Sequence, residues 1–386
     1  MSIELLSKEY GTPFYIFDVE KLRERVKYLQ SYLPDVNLIY AVKANTFVIP
    51  YIHKYVSGLE LCSFGEYEIA VKSNVPYEKM IISGVYKDYD SMEYMFSHEL
   101  PYRFTVESLT QWYLLKEMVN KFKKELNVLL RLTSGSQFGM SEEDIRVILA
   151  EDNPNIHIKG IEYFSKTQRH SIPILEKELV KISRIMDSLE EEYQIEFEEF
   201  EYGPGFPVYY FQEEDFLEDA FLEGFREALK HIKNKKVSLE LGRSIAASMG
   251  EYVTKVVDMK TNQNGNYVIV DGGINHLVYY GGNMGINVPK HEIIPNRSGS
   301  NKYIICGSLC TINDIMVKEF RADNLMINDL IVFKNAGAYA PFEGISLFLS
   351  RELPKVLIKD KDKIEVVRDS VKTSELNSNY KKEVVL

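Results

Sequence analysis

The sequence predicts a (β/α)8 TIM barrel followed by an all-β, barrel-like C-terminal domain that also takes the N-terminal strand. Three observations predict it. Short apolar, β-rich runs alternate with longer helical patterns through the first two thirds of the chain. Eight such runs can be counted, the number that closes a parallel barrel of about 250 residues. After Gly242 the long helical patterns stop, and strand-like runs follow one another across turn signals.

The elements follow in order. Thr12–Asp18, with Phe14, Tyr15, Ile16 and Phe17 in succession, precedes the barrel and is available to the later sheet. The barrel runs are Asn37–Val42, Leu59–Ser63, Lys79–Ser83, Tyr102–Val106, Asn127–Leu132, Ile158–Phe164, Ile195–Tyr202 and Val237–Leu241. Between them Gly65–Lys72, Ser108–Glu125, Ser141–Ala150 and Ile172–Tyr193 carry apolar residues at helical spacing. Ser141, followed by Glu142 and Glu143, marks a helix start. Beyond the barrel, Gly250–Met259, Tyr267–Val270, Tyr303–Cys306, Leu330–Phe333 and Lys355–Ile358 have strand character. Asn-Gly, Asp-Gly-Gly and Gly-Gly-Asn turns punctuate them. From Lys359 onward the chain is charged and is expected to end in a mobile tail. The expected division is a barrel over residues 20–245 and a β-domain built from 1–19 with 246–386.

Composition narrows the function. The 386 residues carry a formal net charge of −11. That balance opposes binding to nucleic acid, which needs clustered Lys and Arg to neutralise phosphates. It also disfavours anionic membranes, and no stretch of about twenty apolar residues is present to span one. The start, Met-Ser-Ile-Glu-Leu-Leu, lacks a signal peptide's basic and apolar regions. Cys62, Cys306 and Cys310 make no disulfide framework, so a cytoplasmic location is expected. Cys306 and Cys310 are not followed by a second Cys or His pair at zinc-site spacing, and no metal is expected.

In a (β/α)8 barrel, chemistry sits at the C-terminal ends of the strands. Lys43 ends the first run, in Tyr-Ala-Val-Lys-Ala-Asn, where desolvation would free its amine for Schiff-base chemistry. A lysine that snorkels to the surface has the same local pattern. Tyr-Gly-Pro-Gly-Phe ends the seventh run, and Gly203 and Gly205 would let backbone N–H groups approach a phosphate. A plain tight turn is the alternative, and Pro204 removes one N–H from the loop. Glu240 ends the eighth run, with Gly242 and Arg243 following. A carboxylate there suits a cationic ring nitrogen and Arg243 a phosphate, or the two form an internal ion pair. No one of these signals is decisive alone; it is their shared position at strand ends that points to a site.

With these segments in place, the chain resembles the fold-type III pyridoxal-phosphate decarboxylases, the group of diaminopimelate, ornithine and arginine decarboxylases. The resemblance runs from Gly11-Thr12-Pro13 to about Ile358. It rests on Tyr40-Ala-Val-Lys43-Ala-Asn45, Cys62-Ser-Phe-Gly-Glu66, Phe138-Gly139, Thr167-Gln168, Gly203-Pro-Gly205, Glu240-Leu-Gly-Arg243, Val270-Asp-Gly-Gly273, Cys306-Gly-Ser-Leu-Cys310 and Gly337-Ala-Tyr339, in that order. It implies pyridoxal 5'-phosphate as cofactor, with Lys43 as the Schiff-base lysine and Glu240 on the ring nitrogen. It further implies Gly203, Gly205, Arg243, Thr167 and Tyr339 around the phosphate. Phe164 stands where many relatives place a His against the ring face. Cys310 matches the family's catalytic Cys, which reaches the site from a second subunit, so a homodimer with shared active sites is implied. A small buried Cys is the bland reading of the same residue.

The substrate side departs from the best-known members. Thr311 follows Cys310, where diaminopimelate decarboxylases have Glu and ornithine decarboxylases Asp. The segment Asp271-Gly-Gly-Ile-Asn-His276 lacks the Arg-Pro pair that serves a distal carboxylate in the diaminopimelate branch. Leu309-Cys-Thr311, Phe164 and Gln137-Phe-Gly-Met140 are closer to the butirosin-pathway decarboxylase, which acts on a glutamyl group carried by an acyl carrier protein. The expectation is α-decarboxylation of an amino acid, or of a carrier-tethered or derivatised aminoacyl substrate, in secondary metabolism. The alternatives are a diaminopimelate-type decarboxylase, a racemase and a non-catalytic homologue. Lys166 replaces a family Gly, and Arg169 and His170 either face a substrate carboxylate or lie on a surface loop.

Overall fold

A computed structural model of the chain describes residues 1–212, 216–279 and 286–379. It divides into two compact units: Met1–Leu22 with Tyr209–Asp215 and Ala246–Leu386, and Arg23–Val208 with Phe216–Ile245.

The first strand, β1 (Phe14–Asp18), belongs to the former unit; the next eight form the latter. They are β2 (Asn37–Ala41), β3 (Gly58–Leu61), β4 (Met80–Ile82), β5 (Arg103–Val106), β6 (Leu126–Leu132), β7 (Ile156–Phe164), β8 (Glu199–Gly203) and β9 (Lys236–Leu241). All pair in parallel, and β9 closes on β2 through Ile39 opposite Glu240. This is the expected barrel. Its local chemistry also follows the sequence: Ser141 caps the helix Glu142–Leu149 by accepting the Asp144 N–H at 3.1 Å. The seventh run is the exception. Strand structure begins only at Glu199, because Gln194 turns left-handed (φ 52°) to end the helix Ile172–Tyr193.

One irregularity sets the barrel's interior. Val128 of β6 lies opposite Ile158 of β7, but Leu129 lies opposite Gly160, so Lys159 is an extra residue. The shift brings Arg131 opposite Glu162 instead of Ile161. Gly160 is required at the bulge, since a Cβ there would stand 1.7 Å from the Glu199 carbonyl oxygen.

The other unit holds a mixed nine-stranded sheet. Its further strands are β10 (Gly250–Asn262), β11 (Gly265–Val270), β12 (His291–Ile294), β13 (Asn301–Cys306), β14 (Ile315–Ala322), β15 (Leu330–Phe333), β16 (Lys355–Asp360) and β17 (Lys363–Arg368). The main path runs β14-β13-β11-β10-β1-β16-β17, with β15 pairing β10 and β12. β1 joins this sheet as expected, antiparallel to β10 and parallel to β16. All five of its residues are buried, which is why Phe14–Phe17 is apolar on both faces. Leu6, Phe14, Ile16, Val253, Val332 and Leu357 form a core beneath it.

Three strands carry no clear sequence signal. In β14, exposed Lys318, Glu319 and Arg321 dilute the buried Met316, Val317 and Phe320. β12 has four residues, and β17 is the second arm of a hairpin with β16. The charged stretch after Lys359 is therefore not a tail throughout: Lys363–Arg368 is paired strand. The Gly281-Gly282-Asn283 turn lies outside the described residues.

Replacing Gly160 with Ala should destabilise the barrel by about 1–3 kcal/mol or more, the cost of overpacking at a rigid contact. Denaturant unfolding of the variant against wild type measures it.

Candidate active site

Lys43 follows β2 in a tight turn, Val42–Ala44. Its Nζ lies 2.5 Å from Glu60 Oε2 and 3.5 Å from Cys62 Sγ. Glu60 sits in β3 opposite Ala41, so strand register alone sets it beside the lysine. Burial pushes the Glu60 carboxyl up, but the neighbouring Lys43, the Cys62 thiol and Arg131 hold it below the usual carboxylate range. The Cys62 thiol is pushed well above its ordinary value by burial and by the Glu60 charge, so it stays protonated. The segment is locked from the adjoining helix: Ser63 Oγ accepts the Glu66 N–H, and Glu66 reaches back to accept the Cys62 N–H at 2.7 Å.

Across the barrel, Arg131 lies 3.2 Å from Glu107 and 3.3 Å from Glu162, all three buried. Lys87, also buried, donates to the Gly84 carbonyl at 2.9 Å and to Gln111 Oε1 at 3.1 Å. Burial lowers the Lys87 amine to about 8, against the opposing pull of Glu107 and Glu162. Glu240 is the penultimate residue of β9. Its Oε1 is sealed from solvent and has no hydrogen-bond partner. Burial, with Glu60 and Glu162 nearby, pushes its carboxyl well above the usual range; Lys43 and Arg131 oppose this only in part.

The ends of β7 and β8 form a tight joint. Phe164 ends β7 opposite Gly203, and a Cβ on Gly203 would lie 2.5 Å from the Phe164 ring. Gly205 takes φ 64°, and a Cβ there would stand 2.0 Å from the Lys166 carbonyl and 2.9 Å from Thr167 Cα. The Arg169 N–H donates to the Gly205 carbonyl at 2.8 Å. Phe164, Thr167, Gly203 and Gly205 are thus brought together, and Pro204 sits in a joint where both flanking glycines are sterically required. The Arg169 side chain is engaged by Glu178, Ser165 and Tyr202, which makes it a brace for this joint and leaves Glu178 as its carboxylate. Lys166 and His170 are exposed. Arg243 is buried and opens the short helix Arg243–Ala246 directly after β9.

Cys310 and Tyr339 belong to the β-unit. Tyr339 takes φ 63°, a strained conformation for a bulky residue, and its carbonyl accepts the Phe342 and Glu343 N–H groups. Cys310 is exposed on the loop after β13. Buried Asp314 shapes that loop, accepting the Leu309 N–H at 2.7 Å and the Ile274 N–H at 2.9 Å. It so ties the Cys306–Cys310 segment to Asp271-Gly-Gly. Arg351 donates to Ser308 Oγ at 2.8 Å, and its own carbonyl is fixed by Thr373 Oγ1 at 2.7 Å. Among the described residues no carboxylate forms an ion pair with Arg351.

Sequence reasoning located Lys43 and Glu240 but missed Glu60, Glu107, Arg131, Glu162, Lys87, Asp314 and Arg351. A signal existed for three of them: a single charge inside an apolar strand, as in Leu59-Glu60-Leu61, Leu130-Arg131-Leu132 and Ile161-Glu162-Tyr163.

A barrel mouth with a lysine amine in the turn after β2, a carboxyl on β9 with one sealed and unpartnered oxygen, and a glycine joint at β7–β8 fits pyridoxal 5'-phosphate, whose aldehyde, ring nitrogen and phosphate call for those groups. Residues 19–247 match the family model described as pyridoxal-dependent decarboxylase, pyridoxal binding domain. The chain belongs to this family.

Its curated relatives include the L-glutamyl-[BtrI acyl-carrier protein] decarboxylase of Niallia circulans, 26% identical over 95% of this chain and 93% of that one. Another is the 2-[(L-alanin-3-ylcarbamoyl)methyl]-2-hydroxybutanedioate decarboxylase of Staphylococcus aureus, 26% identical over 92% and 96%. The fold matches the crystal structure of Helicobacter pylori diaminopimelate decarboxylase in complex with L-lysine, with a TM-score of 0.85 at 22% identity over 97% and 98% of the two chains. Like the family, this decarboxylase takes pyridoxal phosphate as cofactor. Among the described residues no helix is long and apolar enough to cross a membrane, and no group of three or more His, Cys, Asp or Glu could hold a metal ion.

Proposed function

We propose that this chain is an α-decarboxylase of an amino acid held in derivatised or carrier-tethered form, belonging to secondary metabolism and working as a homodimer. The observation that carries the substrate reading is the Cys310 loop: Thr311 supplies no charge for a distal ammonium, while Arg351, joined to Ser308, supplies one for an anion. The carboxylate-bearing substrate named for the Staphylococcus aureus relative is of that kind. The L-glutamyl group on an acyl-carrier protein named for the Niallia circulans relative is the carrier-bound alternative.

When bound, pyridoxal 5'-phosphate supplies an electron sink for the pair left on the α-carbon as carbon dioxide departs. The chain's residues do the rest. Lys43 would hold the cofactor, and Glu60, 2.5 Å from its amine, would orient that amine. Glu240 would meet the ring nitrogen with a carboxylate and hold a proton there. Gly203, Gly205, Thr167, Arg243 and Tyr339 would bind the phosphate. Phe164 would pack on the ring face and, having no ionisable group, would leave proton transfer to others. Cys310 of a second copy delivers the proton to the α-carbon. Glu240 favours decarboxylation over racemisation, because a carboxylate keeps the nitrogen cationic.

Mixing inactive Lys43→Ala and Cys310→Ala proteins should restore up to about a quarter of the wild-type carbon dioxide release, the share expected if random pairing leaves one intact site in half of the dimers. No recovery after subunit exchange would contradict shared sites. For the substrate class, Arg351→Gln should raise KM about 10–100-fold for carboxylate-bearing substrates, the worth of one charge-assisted contact, with kcat nearly unchanged. Equal loss for substrates without the carboxylate would contradict the assignment.

A further inference from the structure

The barrel's strand ends contain more acid than base. Glu60, Glu107, Glu162 and Glu240 face Lys43, Lys87 and Arg131, and Glu66 beside Cys62 adds another acid. Deeper in the barrel, Arg103 is shared by Glu199 and Glu201 and has no charge to spare. Glu60 is in contact with Lys43, and Glu107 and Glu162 divide Arg131, with both Glu162 oxygens and Glu107 Oε2 sealed and without a hydrogen bond. Glu240 has a sealed Oε1 without a donor. An ionised carboxylate in such a place costs several kcal/mol, and the simplest relief is a proton.

We propose that Glu240 carries a proton in the cofactor-free protein and loses it when the cofactor binds. The inference rests on the reading that Glu240 faces the ring nitrogen. If the nitrogen arrives bare, the Glu240 proton passes to it; if it arrives protonated, the Glu240 proton leaves to solvent. Either way the O–H bond of the acid is broken and the cationic ring provides the positive charge that the acid cluster lacks. Cofactor loading is then coupled to the ionisation of one carboxyl, and the empty barrel tolerates its acids by keeping Glu240 neutral. Burial and the flanking Glu60 and Glu162 act in the same direction on this group.

Stability gives one readout. A carboxyl whose folded-state pKa is raised costs nothing below its ordinary value and costs progressively more as pH rises through the folded value. Cofactor-free Glu240→Gln should therefore melt higher than cofactor-free wild type at neutral pH, with the gap closing toward pH 4.5, the ordinary carboxyl value. With saturating pyridoxal phosphate the order should reverse, since only wild type holds the ring nitrogen by charge.

The decisive experiment is infrared difference spectroscopy on the full-length protein freed of cofactor. The expected result is a protonated-carboxyl band that is present in wild type, missing from Glu240→Gln and lost when pyridoxal phosphate is added. If the variant does not fold, the loss on adding pyridoxal phosphate to wild type alone reads the same step. Absence of the band before loading overturns the proton on Glu240. Its persistence after the cofactor absorbance has appeared overturns the reading that Glu240 meets the ring. Failure of any cofactor absorbance to appear removes the site itself and the proposal with it.

Discussion

The constraint on which the barrel depends is the burial of charge at its strand ends. The inside of a (β/α)8 barrel is normally filled by branched aliphatic side chains. Here Glu60, Arg131, Glu162 and Glu240 put charge into strands, each between apolar or aromatic neighbours. Buried ions are stabilising only when partnered in good geometry, and leaving one alone costs about 3–5 kcal/mol. The local structure meets part of that demand. The bulge at Lys159–Gly160 moves Glu162 opposite Arg131, and the register of β2 with β3 sets Glu60 beside Lys43. The reciprocal bonds of Ser63 and Glu66 fix the turn after β3. The remaining imbalance, shared by Glu240 and Glu162, whose sealed oxygens find no hydrogen-bond partner, is the mark of a place shaped for a further cation.

The β-unit solves a different problem, holding an exposed loop in one shape. Gly273 and Gly307 leave room for Asp314; a Cβ on either would come within 2.7 Å of its carboxylate. The acid spends its oxygens on backbone N–H groups from two segments, so Asp271-Gly-Gly and Cys306-Gly-Ser-Leu-Cys310 move as one piece. Arg351 is pinned to the same piece through Ser308. An exposed thiol and a guanidinium on such a support are placed with little conformational freedom left to lose on binding.

Much of this architecture was legible in the sequence. Eight apolar runs spaced by helical patterns specify the barrel, and the doubly apolar Phe14–Phe17 run specifies a strand buried on both faces. Lys43 and Glu240 stood out because each ends a run, where a charge is conspicuous. Glu60, Arg131 and Glu162 did not, since a single charge within a strand is normally an outward-facing residue and only the closed barrel shows that these face inward. Gly160 offered no signal, as the approach of the Glu199 carbonyl is set by a strand about forty residues away. β14 was hidden by its charged outer face. Lys363–Arg368 resembled a tail because none of its residues is fully buried and its pairing with β16 comes from the backbone. Arg169, a candidate for a substrate carboxylate, instead pairs with Glu178, a helix residue nine positions on, which local pattern alone does not distinguish.

The central claim is that the acid cluster around Glu240 holds a protonated, cationic ring nitrogen. The most direct measurement is the nitrogen NMR shift of pyridoxal phosphate labelled with nitrogen-15 in the ring, bound to wild type and to Glu240→Gln across neutral pH. A protonated-nitrogen shift in wild type that moves toward the neutral-ring value in the variant is the predicted result. A neutral nitrogen in wild type, or the same shift in both proteins, would contradict it.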